Sequence, residues 1–316
     1  QATRRTLEIV TNQRDGSRQG TLLATIDRSG TAMGARLLRQ WLLEPLIDAN
    51  AIISRHDAVE ELVENTNVRK SLASTLSGMS DLERLAAKLA SGRSGPRDIN
   101  ALASALERVP ELLEQLVGLN AAQLCALRDD LDPHAGLVRE IRTALSETPP
   151  LLIKEGGLIR DGFNSEVDEL RGLAQGGKDY LAAMQQRESE RLGVAVKIGF
   201  NRVFGYYIEL TSSVVGKAPE DYIRKQTLKN AERYITPELK EYEHKVLGAE
   251  EKLKDIEYEL FEKLRSEVLG HAQSVAKCAQ AIASLDVLQS LSTIAVEKRL
   301  VRPQFIEASA DSCGVL

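Results

Sequence analysis

Apolar residues in the first 160 positions recur at the three- and four-residue steps of amphipathic helices. Met33, Leu37, Leu38 and Trp41 follow this spacing before Pro45, which predicts a helix over 31–43. The same pattern and its breakers predict further helices over 48–63, 68–76, 81–90, 96–107 and 111–117. Pro149-Pro150 ends the series, and a short turn or small hairpin is expected over 151–159.

The hydrophobic period changes from helical to alternating near residue 194. Alternate apolar residues run from Val194 to Phe200 and again from Tyr206 to Leu210, with Gly205 interrupting the pattern between them. This pattern predicts a β-hairpin. A third extended run is expected over 223–235, which gives a three-stranded unit of about 40 residues, close to the minimum for a stable sheet.

Long amphipathic helices are predicted on both sides of this β unit. Val167, Leu170 and Met184 lie at helical spacing before it, and an apolar seam continues after it from Leu239 to Val268. Because the two ends of an inserted unit must meet, the flanking helices have to run antiparallel. The predicted fold is therefore mainly α, with a helical core and a long antiparallel helical arm that carries a small inserted antiparallel β domain.

These elements predict six consecutive segments. Residues 1–162 form the first part of the helical core, 163–193 the ascending helix, 194–235 the β domain, 236–270 the descending helix, 271–300 the return to the core and 301–316 a lead-out segment.

The sequence contains few residues in the arrangements typical of catalytic or metal-binding sites. The three cysteines and four histidines are scattered, with no C-x-x-C pair, and we find no phosphate-binding glycine loop and no nucleophile elbow. We therefore expect no catalytic residue, metal site, cofactor or small-molecule substrate. We also expect no membrane partner, because no run of 18 apolar residues occurs. The chain opens with Gln1 and lacks the apolar segment of a signal peptide, so we expect an excised piece of a longer protein.

Charge is unevenly distributed along the chain. The formal net charge is -5, which argues against a general nucleic-acid binder, yet residues 194–235 contain seven basic and four acidic side chains. If 224–235 is one extended strand, Lys225, Thr227, Lys229 and Arg233 share a face and form a cationic stripe. Such a stripe can neutralise phosphates. A merely solvated strand face that protects a sheet edge is the other interpretation.

Two runs of residues resemble a known family. The first is Phe200-Asn201-Arg202-Val203-Phe204-Gly205-Tyr206-Tyr207-Ile208-Glu209, and the second spans 224–243. Both are similar to the clamp and lever segments of the MutS family of bacterial DNA mismatch-recognition ATPases. Segments 3–8, 33–46 and 159–171 resemble the core domain of the same family, so the resemblance covers essentially the whole chain.

The resemblance implies a role in DNA mismatch repair. Two clamps of a homodimer are expected to close around double-stranded DNA and to contact phosphates without reading sequence. Lys229, Asn230 and Arg233 occupy the clamp positions best suited to phosphate contact, followed by Arg202, Asn201 and Lys225.

The remaining expectations from the resemblance concern the parent protein. The chain lacks the family's mismatch-reading domain and its ATPase domain with the Walker loop, so ATP and Mg²⁺ are expected to bind elsewhere in the parent and this fragment is expected to be non-enzymatic. Segment 301–316 is expected to be the truncated lead-in to the ATPase domain, and its Phe305-Ile306-Glu307 is interpreted as a chance match to the Phe-x-Glu of the mismatch-reading domain. The expected location is the bacterial cytoplasm, associated with the nucleoid. The alternative function is a coiled-coil protein-interaction module without a DNA role. A third hypothesis is an all-α enzyme, which the absence of catalytic motifs argues against.

Overall fold

The computed structural model describes residues 6–201, 203, 205–211, 214, 216 and 218–304, except the side chains of residues 175 and 177–179. The chain divides into two compact units. Unit 1 comprises Gln1–Thr143 and Leu264–Leu316, and unit 2 comprises Ala144–Lys263.

The described ranges contain helices and strands in the following order. They are α1 (Leu22–Ile26), α2 (Ala32–Leu43), α3 (Ala49–Glu64), α4 (Thr66–Leu76), α5 (Leu82–Ala90), α6 (Pro96–Leu106), α7 (Val109–Gln115), α8 (Ala122–Asp130), α9 (Ala135–Ala144), a 3-10 turn (Ile153–Glu155), α10 (Ser165–Leu192), β1 (Lys197–Asn201), β2 (Gly205–Thr211), β3 (Ile223–Thr227), β4 (Ala231–Ile235), α11 (Pro237–Gly270) and α12 (Ala272–Lys298).

Helix α12 lies at the centre of unit 1. It packs against α2, α3, α4, α5 and α8, and its buried side chains include Val275, Ile282 and Leu288. Its length and composition are also those of a membrane span, with a mean hydropathy of 1.2 over 18 residues, but 67% of that window is buried in the protein. Such burial is typical of a core helix in a globular unit.

A buried carboxylate on α12 fixes the start of α2. Asp286 is fully buried and accepts hydrogen bonds from the Gly30 and Thr31 N–H groups at 2.8 and 2.9 Å. The Thr31 hydroxyl donates to the same carboxylate at 2.6 Å and accepts from the Gly34 N–H at 2.9 Å as the α2 N-cap. Burial raises the pKa of Asp286. A side chain at Gly34 would overlap this carboxylate, so the close approach requires glycine.

Unit 2 is built on two antiparallel helices. Asn164 caps the start of α10 by accepting from the Val167 N–H at 3.0 Å, and α10 continues through Gly176-Gly177 to Gly193 in the left-handed conformation. Lys252 of α11 pairs with Glu166 near the start of α10, and Arg187 near its end pairs with Glu238 at the start of α11. These contacts establish the antiparallel orientation.

The inserted sheet has four antiparallel strands in the order β1-β2-β4-β3. Ile198 faces Ile208 across β1 and β2, and Ile208 faces Tyr234 across β2 and β4. One face of the sheet packs on the helices through a cluster of buried side chains. The cluster comprises Met184, Val196, Ile208, Leu210, Tyr222, Tyr234 and Leu239.

The predicted fold class is confirmed: the chain is mainly helical, and a small antiparallel sheet is inserted between α10 and α11. The prediction of a single extended run over 223–235 is wrong, because residues 228–230 turn and separate β3 from β4. Helices α1, α8 and α9 were missing from the prediction. Helix α8, for example, starts after Ala121 with no side-chain cap, so its start carries no sequence signal.

Candidate nucleic-acid interface

The turn between β3 and β4 presents the predicted contact residues Lys229 and Asn230 to solvent. The Leu228 N–H donates to the Ala231 carbonyl oxygen at 2.7 Å, which leaves Lys229 and Asn230 as the two residues at the tip of the turn. Asparagine is common in turns because its short side chain bonds to nearby backbone. Lys229 forms no ion pair with any side chain in the described part of the chain.

Lys225 lies in an irregular step of the same hairpin. The β3–β4 register shifts between Arg224 and Gln226, so Lys225 falls in a β-bulge, and it is exposed. Within the described ranges Lys225 has no acidic partner, whereas Arg224 lies 3.4 Å from Glu232. The predicted single-faced cationic stripe is therefore wrong: the bulge and the turn place Lys225 and Lys229 at separate points of a hairpin.

Arg233, also a predicted contact residue, forms its contacts with other side chains of the sheet. It is partly buried, pairs with Glu209 at 3.0 Å and donates to the Gln226 side-chain oxygen at 2.9 Å. Its guanidinium carbon lies 4.3 Å from the centre of the Tyr207 ring. Since Glu209 faces Arg233 across β2 and β4, the strand register itself creates this ion pair.

Of the two remaining predicted contact residues, only Asn201 is described by the structure. Asn201 is the last residue of β1, is partly buried, and its side-chain oxygen accepts from the Val203 N–H at 2.8 Å. Val203 is 79% exposed, so this turn reaches solvent. Arg202 lies outside the described residues.

The hairpin formed by β1 and β2 is fastened to the helices by side chains that the sequence did not single out. Gln185 and Ser189 of α10 accept hydrogen bonds from the N–H groups of Ile198 and Val196, both at 3.1 Å. Glu243 of α11 accepts from the Tyr206 N–H at 2.6 Å. The only sequence signal for these contacts was the break in alternation at Gly205, which has a φ of +77°.

Two tyrosines of unit 2 are held in the neutral form. Burial and a 3.0 Å hydrogen bond to Glu188 raise the pKa of Tyr222. Burial and a 2.6 Å hydrogen bond to Glu232 raise the pKa of Tyr234 to about 12. The Tyr222 hydroxyl thus links the segment before β3 to α10, whereas the Tyr234 hydroxyl bonds within its own strand β4.

The described part of the chain contains no group of three histidine, cysteine, aspartate or glutamate side chains arranged to hold a metal ion. On the β3–β4 hairpin, Lys225 and Lys229 are exposed, and Asn230 lies beside Lys229.

Comparison with known proteins places the chain in a family. A family model described as MutS domain III matches residues 2–292. The DNA mismatch repair protein MutS of Rhodopirellula baltica is 47% identical over 309 residues, which cover 98% of this chain and 35% of that protein. The MutS of Desulforamulus reducens is 45% identical over 302 residues, 95% of this chain and 35% of that protein. The chain thus spans about a third of the length of these relatives, and it belongs to the MutS domain III family.

Proposed function

We propose that the chain is the part of a DNA mismatch repair protein that grips the backbone of double-stranded DNA. The observation that carries the proposal is the β3–β4 hairpin, where Lys225 and Lys229 are exposed and unpaired with described acidic residues and Asn230 adds donors beside them. Lysine binds phosphate through charge alone, so contacts of this kind carry no sequence information.

The other three predicted contact residues, Arg233, Asn201 and Arg202, have different roles in the proposal. Arg233 keeps Glu209 and Tyr207 as partners and shapes the sheet, so phosphate contact by Arg233 requires exchange of its carboxylate partner. Asn201, the last residue of β1, and Arg202, which follows it in the sequence, are proposed as secondary contacts.

The proposal extends to the intact protein. There, α10 and α11 link the DNA-binding hairpin to a separate ATPase domain, two copies of the chain surround the duplex, and nucleotide binding controls opening of the ring. The fragment itself performs no catalysis and acts in the bacterial cytoplasm. The names of the relatives support the role in mismatch repair, and the 35% share of their length that the chain covers is consistent with further domains in the intact protein.

Fluorescence anisotropy with a short labelled duplex tests the proposal. The chain is expected to bind with a Kd in the non-specific range of about 10⁻⁴ to 10⁻⁶ M at moderate salt, equally for matched and mismatched DNA. The double variant Lys225→Glu with Lys229→Glu is expected to weaken binding at least about tenfold.

A matched control separates local contact from total charge. Lys70 on α4 and Lys263 on α11 are exposed, and their double replacement by glutamate changes the net charge by the same amount. Equal loss of binding in the control and hairpin variants would contradict a DNA site at the hairpin. Absence of duplex binding by the unaltered chain would favour the protein-interaction alternative.

A further inference from the structure

Two consecutive side chains of α11 hold the start of β2. The Tyr206 N–H donates to the Glu243 carboxylate at 2.6 Å, and the Tyr206 ring meets the Tyr242 ring edge-on with centroids 5.8 Å apart. Tyr206 is therefore held through its backbone and through its ring at once. Because Tyr206 lies at the beginning of β2, these contacts fasten the turn between β1 and β2 to the first two turns of α11.

Glycine at position 205 makes this approach possible. A β-carbon at Gly205 would overlap the Glu243 carboxylate, and the φ of +77° also favours glycine. Strand β4 pairs with β2 only from Ile208 onward, so Tyr206 lies beyond the end of that pairing. Glu243 supplies an acceptor at this position, and a carboxylate forms a stronger hydrogen bond to an N–H group than a neutral acceptor does.

The turn held by Glu243 belongs to the surface proposed to bind DNA. Asn201 and the 79% exposed Val203 lie on it. Glu243 itself is partly buried, and its carboxylate is engaged with the backbone. A negative charge at this surface repels phosphates, so its presence there requires another role.

We propose that Glu243 is a positioning residue that fixes the β1–β2 turn on α11, so that the DNA-binding sheet and this helix move as one body. The proposal rests on the DNA-binding function proposed above. Strand β4 is already tied to α11 by chain continuity and by the packing of Leu239 in the buried cluster. The proposal assigns the fastening of the β1–β2 end of the sheet to one hydrogen bond and one ring contact, made by adjacent residues of the helix.

Hydrogen exchange at the Tyr206 amide tests the link without DNA. In Glu243→Ala the amide is expected to exchange at least about tenfold faster, because its acceptor is lost. In Glu243→Gln the side-chain oxygen can still accept, so protection is expected to stay within about threefold of the unaltered chain. Glu241→Ala is the matched control, because Glu241 lies on the same helix and pairs only with Lys245 among described residues.

Duplex binding tests the positioning role. Glu243→Ala is expected to weaken binding by about three- to tenfold, since a loosened turn must be ordered on binding. The slope of log Kd against log salt is expected to stay unchanged, because no phosphate contact is removed. Glu243→Gln is expected to restore affinity. Rescue by Glu243→Gln together with a constant slope would show that the hydrogen-bond acceptor, and not the negative charge, sets the affinity.

Several outcomes would overturn the proposal. These are unchanged Tyr206 exchange in Glu243→Ala, equally fast exchange in Glu243→Gln, and faster exchange with unaltered DNA affinity. If Glu243→Ala does not fold, Glu243→Asp replaces it, because the shorter carboxylate keeps the charge but loses the reach. If the unaltered chain binds no duplex, the proposed function fails, and the exchange data alone decide whether Glu243 fixes the turn.

Discussion

The two hairpins of the inserted sheet differ in how their backbone and side chains are engaged. The β1–β2 hairpin is bound to both helices. Gln185 and Ser189 of α10 accept hydrogen bonds from backbone N–H groups in β1 and just before it, and Glu243 of α11 accepts one from a backbone N–H group of β2. The β3–β4 hairpin has an exposed turn, with Lys229 and Asn230 at its tip.

This difference assigns separate tasks to the two halves of one sheet. The first hairpin anchors the sheet, and the second leaves its lysines available to an external anion. Even the free edges differ, because the α10 side chains cover the β1 edge, while the bulge at Lys225 interrupts the β3 edge. Bulges and lysines on edge strands oppose pairing with other chains, so the exposed hairpin is protected from aggregation.

The largest expected effect concerns the anchored hairpin. Gly205→Ala is expected to destabilise unit 2 by about 2–4 kcal/mol, because it combines a left-handed backbone with a clash against Glu243. All seven tyrosines lie in unit 2 and the single tryptophan, Trp41, in unit 1. Urea unfolding followed by near-ultraviolet tyrosine dichroism and by tryptophan fluorescence therefore separates the two units.

Gly216→Ala provides the control for this substitution, because a β-carbon there meets no atom within 4 Å. The cost of Gly205→Ala is also expected to fall when Glu243 is replaced by alanine, since the clash disappears and only the backbone strain remains. Equal costs in both backgrounds would contradict the close packing of Gly205 and Glu243.

A smaller loss of stability is expected at the β1 edge of the sheet, where α10 supplies hydrogen-bond acceptors. Gln185→Ala removes the acceptor of the Ile198 N–H and is expected to destabilise unit 2 by about 1 kcal/mol. The neighbouring Gln186 bonds only to Glu190 among described residues and serves as the control. Hydrogen exchange at Ile198 measures the effect directly, and unchanged exchange would show that this edge is not anchored by α10.

A pH effect of still smaller size is expected where α10 meets α11. Hydrogen bonds from Arg187 and Tyr180 lower the pKa of Glu238. Because the folded pKa lies below the unfolded value near 4.5, the stabilisation is complete above that pH and is lost as the pH falls below it. The pair is exposed, so less than about 1 kcal/mol is expected. In Glu238→Gln, the stability of unit 2, followed by tyrosine dichroism in urea, should fall less as the pH drops below 4.5. An unchanged pH dependence would contradict a stabilising role of the ionised Glu238 carboxylate.

The helices and the first hairpin were predictable because their signals are local. Apolar residues recur every three or four positions along α11 and at every second position around Ile208. Both patterns can be recognised from residues that are close together in the sequence. The β3–β4 turn was missed because the segment 223–235 contains no glycine or proline, and Asn230 was its only turn signal.

The residues of the candidate site could be predicted from the sequence, but their hydrogen-bond and ion-pair partners could not. Lys229 and Asn230 lie on the inserted β domain, in a turn and not on the extended strand that the sequence analysis predicts, and their role as DNA contacts stays a prediction. The partner of Arg233 is Glu209, 24 positions earlier, and the partner of Tyr206 is Glu243, 37 positions later. Such contacts depend on strand register and on the packing of α11, which no local pattern encodes.

The salt dependence of duplex binding tests most directly whether the exposed hairpin makes the phosphate contacts. Single replacements of Lys225 and Lys229 by alanine are each expected to reduce the slope of log Kd against log salt by about 0.9, with unit 2 stability unchanged within about 0.5 kcal/mol. Slopes identical to that of the unaltered chain in both variants would contradict the division of the sheet into an anchoring hairpin and a DNA-binding hairpin.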